Sequence, residues 1–227
     1  MIYVLWTVLI VTAPLLAAAA VWYQKAYIDS AKPKIGEALK AHKKLYIVLT
    51  LAYLGMAIFL LVTKDKKQLP VDILIQNLLL WDGIVCLTVT DIRVKKIPNA
   101  VTLLLLVLRC FFMAWGIIVQ YDDPKTIVLS SLVGLLFGGG FILVCMIISK
   151  GGIGAGDLKI FAVIGLYFGL PGLIQIMVYS LILSAIWAIG LLISRKAKMK
   201  STLPMAPFIL AGLTVYYILL TDVEIMV

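Results

Sequence analysis

"MIISKGGIGAGDLKIFAVI", residues 146–164, interrupts a very apolar chain with four glycines, one carboxylate (Asp157) and two lysines. Its reading decides the fold. As a phosphate cradle it would announce an α/β nucleotide-binding domain. As a loop between two greasy segments it would join two spans of a membrane bundle. A phosphate cradle needs a preceding strand and a GxxxxGK[ST] spacing, and neither is present. The flanks are long apolar runs, so the stretch reads as a loop leading into a helix.

The rest of the chain agrees. Of its 227 residues, 63% are hydrophobic and only 14% are charged, with a mean hydropathy of +1.12. A soluble domain of this length needs far more polar surface. Apolar runs of about 20 residues, enough to cross a bilayer, recur along the chain. No segment shows the alternation of a membrane barrel. The fold class expected is an all-α polytopic membrane bundle of eight spans: 1–23, 45–63, 73–91, 98–120, 126–149, 157–170, 171–194 and 204–221. Residues 1–72 form an N-terminal two-span region with a basic loop at 24–44. Residues 73–227 form the main core within one integrated membrane domain. The first run lacks the basic start of a signal peptide, so it reads as a retained span.

The net charge of +9 is a property of the loops. No basic stretch is interleaved with aromatics, so nucleic acid is not an expected partner. With the N-terminus outside, 15 of the 20 basic residues fall on inner loops. Lys and Arg concentrate on the cytoplasmic side, which selects an N-out, C-out topology. Loop 24–44 then faces the cytoplasm, where Pro33 can open a short helix lying on anionic lipid. Cys86, Cys110 and Cys145 are too scattered for a disulfide framework and read as small core residues. Gly134 and Gly138, one turn apart, read as a close helix-packing face.

Charges inside spans are costly and ask for a reason. Asp91 ends the third span and Asp157 begins the sixth. Under the topology above, both lie at the cytoplasmic face at similar depth. Two carboxylates a few ångströms apart do not comfortably both ionise. They share a proton, so one can take a proton from water while the other donates one to a carbonyl. Taken singly, each also reads as an ordinary helix-end carboxylate, Asp157 being near the positive end of its helix. Asp82 lies roughly 13 Å deeper than Asp91, and Arg109 about 16 Å deep on the next, antiparallel span, at 1.5 Å per residue. The two are expected to form a structural ion pair.

The sequence Asp91, a basic loop, Ile97-Pro98-Asn99, then Gly154-Ala155-Gly156-Asp157 with Lys159, resembles the prepilin peptidases, which are GxGD-type intramembrane aspartyl proteases. "LPMAPFILAG", residues 203–212, is similar to the Pro-rich start of that family's last helix. The likeness covers residues 73–221. It implies the catalytic pair Asp91 and Asp157, with Gly154, Gly156, Lys159, Ile97, Pro98 and Asn99 as supporting motif residues. It implies cleavage of a short basic leader from type IV prepilin-like precursors on the cytoplasmic side, after a Gly, with no metal and no cofactor. The bifunctional members also N-methylate the new terminus and carry a larger insertion after the first span, often with paired CxxC motifs. The loop here has no cysteine, so the likeness does not extend to methyl transfer. Two other readings use the same residues: an archaeal preflagellin peptidase with the same chemistry, and a proton-coupled transporter with intramembrane carboxylates.

Overall fold

In the computed structural model of the chain, residues 2–29, 40, 42–67, 71–118, 124–149, 154–194 and 203–219 are described. Among them every regular element is an α-helix: α1 (Ile2–Asp29), α2 (Lys43–Lys67), α3 (Val71–Val94), α4 (Asn99–Ile118), α5 (Pro124–Ile148), α6 (Ala155–Ile193) and α7 (Ala206–Leu219). Five of these, α2 to α6, are long and apolar enough to cross a membrane. Backbone polar groups have no partner in hydrocarbon except within a helix, which is why such apolar runs fold this way. Large side chains such as Leu104, Phe111, Leu136, Ile147 and Ile186 point outward, as lipid-facing surfaces require. The helix in loop 24–44 expected from Pro33, and residues 151–153 with Gly151 and Gly152, lie outside the described residues.

The chain divides into two compact units, Met1–Asp82 and Gly83–Val227. In the first, α1 packs on α2, and Tyr53 meets Trp81 edge-on at 5.8 Å. A buried stripe on α1, Ala17, Ala20, Val21 and Gln24, follows helical spacing. Helix α1 runs six residues beyond the expected end of the first span, because nothing between Val21 and Asp29 stops a helix.

In the second unit, α6 packs on α5, α7 and α4. The sixth and seventh expected spans are two arms of α6. A straight helix of 39 residues would be about 58 Å long, nearly twice the hydrocarbon thickness. It is broken at Gly169, whose φ of 63° and ψ of −169° are non-helical, with Pro171 just beyond. Only glycine adopts this backbone without penalty. A side chain there would also strike the Ser130 hydroxyl.

The break interrupts the ladder of backbone hydrogen bonds, and a side chain compensates. Arg109 of α4 donates from Nε to the Leu166 carbonyl at 3.2 Å and from a terminal nitrogen to Ser131 Oγ at 3.3 Å. Its guanidinium lies 5.6 Å from the centre of the Tyr167 ring. A cation at the negative end of a half-helix is favourably placed. Arg109 and Asp82 belong to different units, and the contacts just given are those of Arg109 within its own. Cys110 is exposed, unlike the core placement expected for all three cysteines; Cys86 is buried and Cys145 half-buried.

Gly134 and Gly165 meet backbone to backbone between α5 and α6, and Gly138 abuts the Phe161 carbonyl. A Cβ at Gly134 or Gly165 would collide with the other residue's carbonyl oxygen. Replacing Gly165 by Val is therefore expected to destabilise the purified protein by at least the ~1–3 kcal/mol typical of overpacking, read as a lowered thermal unfolding midpoint in detergent. An unchanged midpoint would mean the two helices are not held at this contact.

Candidate active site

Helix α3 ends at Val94, within one turn of Asp91. Lys95 takes a left-handed backbone, φ 51°, and its N–H donates to the Asp91 carbonyl at 2.9 Å. This is the single-bond left-handed cap that commonly ends a helix, built here on lysine rather than the usual glycine. The chain then passes Ile97 and Pro98 and enters α4 at Asn99. The termination places Asp91 in the last turn of α3, where a carboxylate meets the negative end of its own helix. The cost is offset from elsewhere: the Ala206 N–H, first in α7, donates to Asp91 Oδ2 at 3.1 Å. Asp91 is only 8% exposed, so this bond replaces water.

Asp157 stands in the first turn of α6. Gly154 is the residue before the helix, in extended backbone, and its carbonyl accepts the Asp157 N–H at 3.1 Å. The Gly154 backbone also hydrogen-bonds the Asp157 side chain. Asp157 is thus the third helical residue with its side chain turned back to the Gly154 backbone, as in one half of a capping box. The charge of Asp91 acts on Asp157, so the carboxylates at the end of α3 and the start of α6 share one electrostatic environment. Both belong to the unit Gly83–Val227.

The other motif residues join the two segments that carry the carboxylates. Lys159 Nζ donates to Asn99 Oδ1 at 2.6 Å, tying α6 to the start of α4. Ile97 lies directly on Gly156: a Cβ there would collide with the Ile97 side chain. Pro98 is buried, and its carbonyl accepts the Thr102 N–H at 3.5 Å. The structure thus brings together Asp91, Asp157, Gly154, Gly156, Ile97, Asn99 and Lys159. Asp82, buried nine residues before Asp91 on α3, falls in the other unit.

Two features escaped the sequence reading. The Ala206 N–H as a partner of Asp91 is a backbone group of an unremarkable residue. Its signal was the pair of prolines, Pro204 and Pro207, which mark the start of α7. The Tyr167 hydroxyl, donating to the Leu105 carbonyl at 3.1 Å, left no signal. Among the described residues no cluster of His, Cys, Asp and Glu has a metal-holding arrangement.

The contact between Ile97 and Gly156 generates a double-mutant test. Gly156→Ala should destabilise the purified chain, and Gly156→Ala with Ile97→Ala should recover part of the loss, a coupling of about 0.5–3 kcal/mol. Additive effects on thermal unfolding would show that the two segments do not pack.

Residues 78–189 match the Type IV leader peptidase family. Over 135 residues the chain is 29% identical to the prepilin leader peptidase/N-methyltransferase of Bacillus subtilis (strain 168), covering 60% of this chain and 52% of that protein. Over 138 residues it is 28% identical to the protein of the same name from Burkholderia pseudomallei (strain 1026b), covering 57% and 41%. The match thus spans about half or less of the length of these curated relatives. No solved structure matches the chain. The matched segment, just under half of the chain, contains both Asp91 and Asp157, the loop between α3 and α4 and most of the broken helix α6; over it the chain is similar to the Type IV leader peptidase family.

Proposed function

We propose that the chain is an aspartic endopeptidase that removes the short basic leader from type IV prepilin-like precursors, with Asp91 and Asp157 as its catalytic pair. One observation carries this reading: within one compact unit, the segment that follows Asp91 and the start of the helix that bears Asp157 are joined by the Lys159–Asn99 hydrogen bond and the Ile97–Gly156 contact. Hydrolysis needs a base to take a proton from water and an acid to protonate the carbonyl oxygen and then the leaving amine. A pair sharing one proton holds both in a single site. Water oxygen attacks the scissile carbonyl carbon as its proton passes to the ionised carboxyl. The second carboxyl protonates the carbonyl oxygen. Collapse of the tetrahedral intermediate expels the amine, which leaves with a proton from the pair. No metal and no cofactor are needed.

Gly154 leaves space beside Asp157 for an approaching peptide backbone, while the space over Gly156 is filled by Ile97. Lys159, Asn99, Ile97 and Pro98 hold the two segments together. Residues 73–227 form the peptidase core, and residues 1–72 the N-terminal two-span region. The distribution of Lys and Arg supports a multi-pass protein of the cytoplasmic membrane with both termini outside and the pair facing the cytoplasm. Its basic inner loops rest on anionic lipid, and nucleic acid is no partner. The substrates are pilin or pseudopilin precursors, whose apolar helix lies in the bilayer while the leader projects into the cytoplasm. The proposal is confined to cleavage, because loop 24–44 has no cysteine of the kind the bifunctional insertions carry. Asp82, buried on α3, is assigned a structural rather than a catalytic role.

Substituting Asn for Asp91 or Asp157, singly, is expected to lower cleavage of a co-expressed precursor by at least about a thousandfold, as loss of one member of a cooperating catalytic unit does. Processing on a gel reads the result. Normal processing by either variant would remove the pair from the mechanism. Asp82→Asn should instead lower the amount of folded protein while leaving the activity of each folded molecule intact.

A further inference from the structure

Thr88 and Asp91 are three residues apart on α3, so their side chains lie one above the other on a single face. Both are buried. Both reach the same residue of α7. Thr88 Oγ1 donates to the Ala206 carbonyl at 3.2 Å, and Asp91 Oδ2 accepts the Ala206 N–H at 3.1 Å. Two side chains one turn apart thus take both backbone polar groups of one fully buried residue.

The partners available to each group make this a specific arrangement. The first N–H groups of a helix have no acceptor within it. In α7 the first is that of Ala206, and the second position is Pro207, which has none. The next two, of Phe208 and Ile209, both donate to the Met205 carbonyl, at 3.0 and 3.1 Å. So the end of α7 has one N–H to offer outside its own turn, and Asp91 accepts it. Thr88 is unusual in the same sense. Threonines in helices commonly bond back to their own helix. Thr50, Thr90, Thr102 and Thr214 do so, donating to Tyr46, Leu87, Asn99 and Leu210 carbonyls. The Thr88 hydroxyl instead leaves its helix for α7.

The geometry points to a clasp in which Thr88 anchors Ala206 so that the Ala206 N–H holds the Asp91 carboxylate in position, making Thr88 a positioning residue for cleavage. The inference rests on the assignment of Asp91 to the catalytic pair. Catalytic groups must be held to within about 0.5 Å of their productive geometry. Asp91 sits on the last turn of a helix, where backbone restraint is weakest. The clasp supplies a second fixed point from α7. It also explains the two prolines beside Ala206. Pro207 removes a competing donor, and Pro204 restricts the backbone leading to the grip.

Two measurements on the purified full-length chain test this. The first is amide exchange of segment 203–209, which has backbone N–H groups at Met205, Ala206, Phe208 and Ile209 but none at its two prolines. Exchange at Ala206 should be slow in the native chain and in Thr88→Ser, and at least about tenfold faster in Asp91→Ala and Thr88→Val, given the free energy of one buried hydrogen bond. Unchanged exchange in both Asp91→Ala and Thr88→Val would overturn the clasp. The second is the steady-state cleavage of a precursor. Thr88→Val should lower kcat by about tenfold with KM within about twofold, and Thr88→Ser should restore kcat. A change in KM alone, or no recovery with serine, would overturn the positioning role. Exchange is read without substrate, so a native chain that cleaves no precursor sinks the proposed function while the clasp is still decided.

Discussion

A carboxylate in a membrane bundle must be given hydrogen bonds by the protein, because hydrocarbon gives none. A second carboxylate nearby raises the demand. The unit Gly83–Val227 meets it with helix ends. Asp157 occupies the first turn of α6 and is bonded by the Gly154 backbone. Asp91 lies at the wrong end of its own helix, but the first N–H of α7 comes to it. Each carboxylate is therefore served by the positive end of a helix. Three helices must be placed correctly for the pair to exist, and most of the unit's packing can be understood from that requirement.

The break in α6 belongs to the same logic. An arm ending at Gly169 allows the segment carrying Asp157 to be short and tightly packed. Glycines on α5 let the backbones approach, and Arg109 bonds a carbonyl beside the break. A charge as costly as Arg109 is justified by what it holds: the far end of the arm that presents Asp157. The start of that arm is secured by Lys159 on Asn99 and by Ile97 on Gly156. These contacts also fix the loop that follows Asp91.

Much of this was legible in the sequence because the signals were local. Apolar length marked the helices, and their expected edges lie within a few residues of those found for α3, α4, α5 and α7. The boundary expected between spans 157–170 and 171–194 appears as a break inside one helix, at Gly169 with Pro171 just beyond. Asp91 and Asp157 stood out because charge is rare in such runs. The basic loop and glycines around them linked the chain to a family before any coordinates. The partners of Arg109 were not legible. A carbonyl beside a helix break carries no sequence mark. The Ala206 N–H was hidden for the same reason, since any residue could supply it.

The curated relatives are longer than the matched region, and their names join two activities. The proposed function is peptide cleavage alone. It requires that Asp91 and Asp157 act together on a tetrahedral carbon. A peptide spanning a precursor cleavage site, with the scissile carbonyl replaced by a hydroxyl-bearing tetrahedral centre, tests it most directly. Such a mimic should bind the native chain at least about a hundredfold more tightly than the unmodified peptide. That advantage should vanish in both Asp91→Asn and Asp157→Asn. Equal preference for the mimic in the native chain and in either variant would contradict the account.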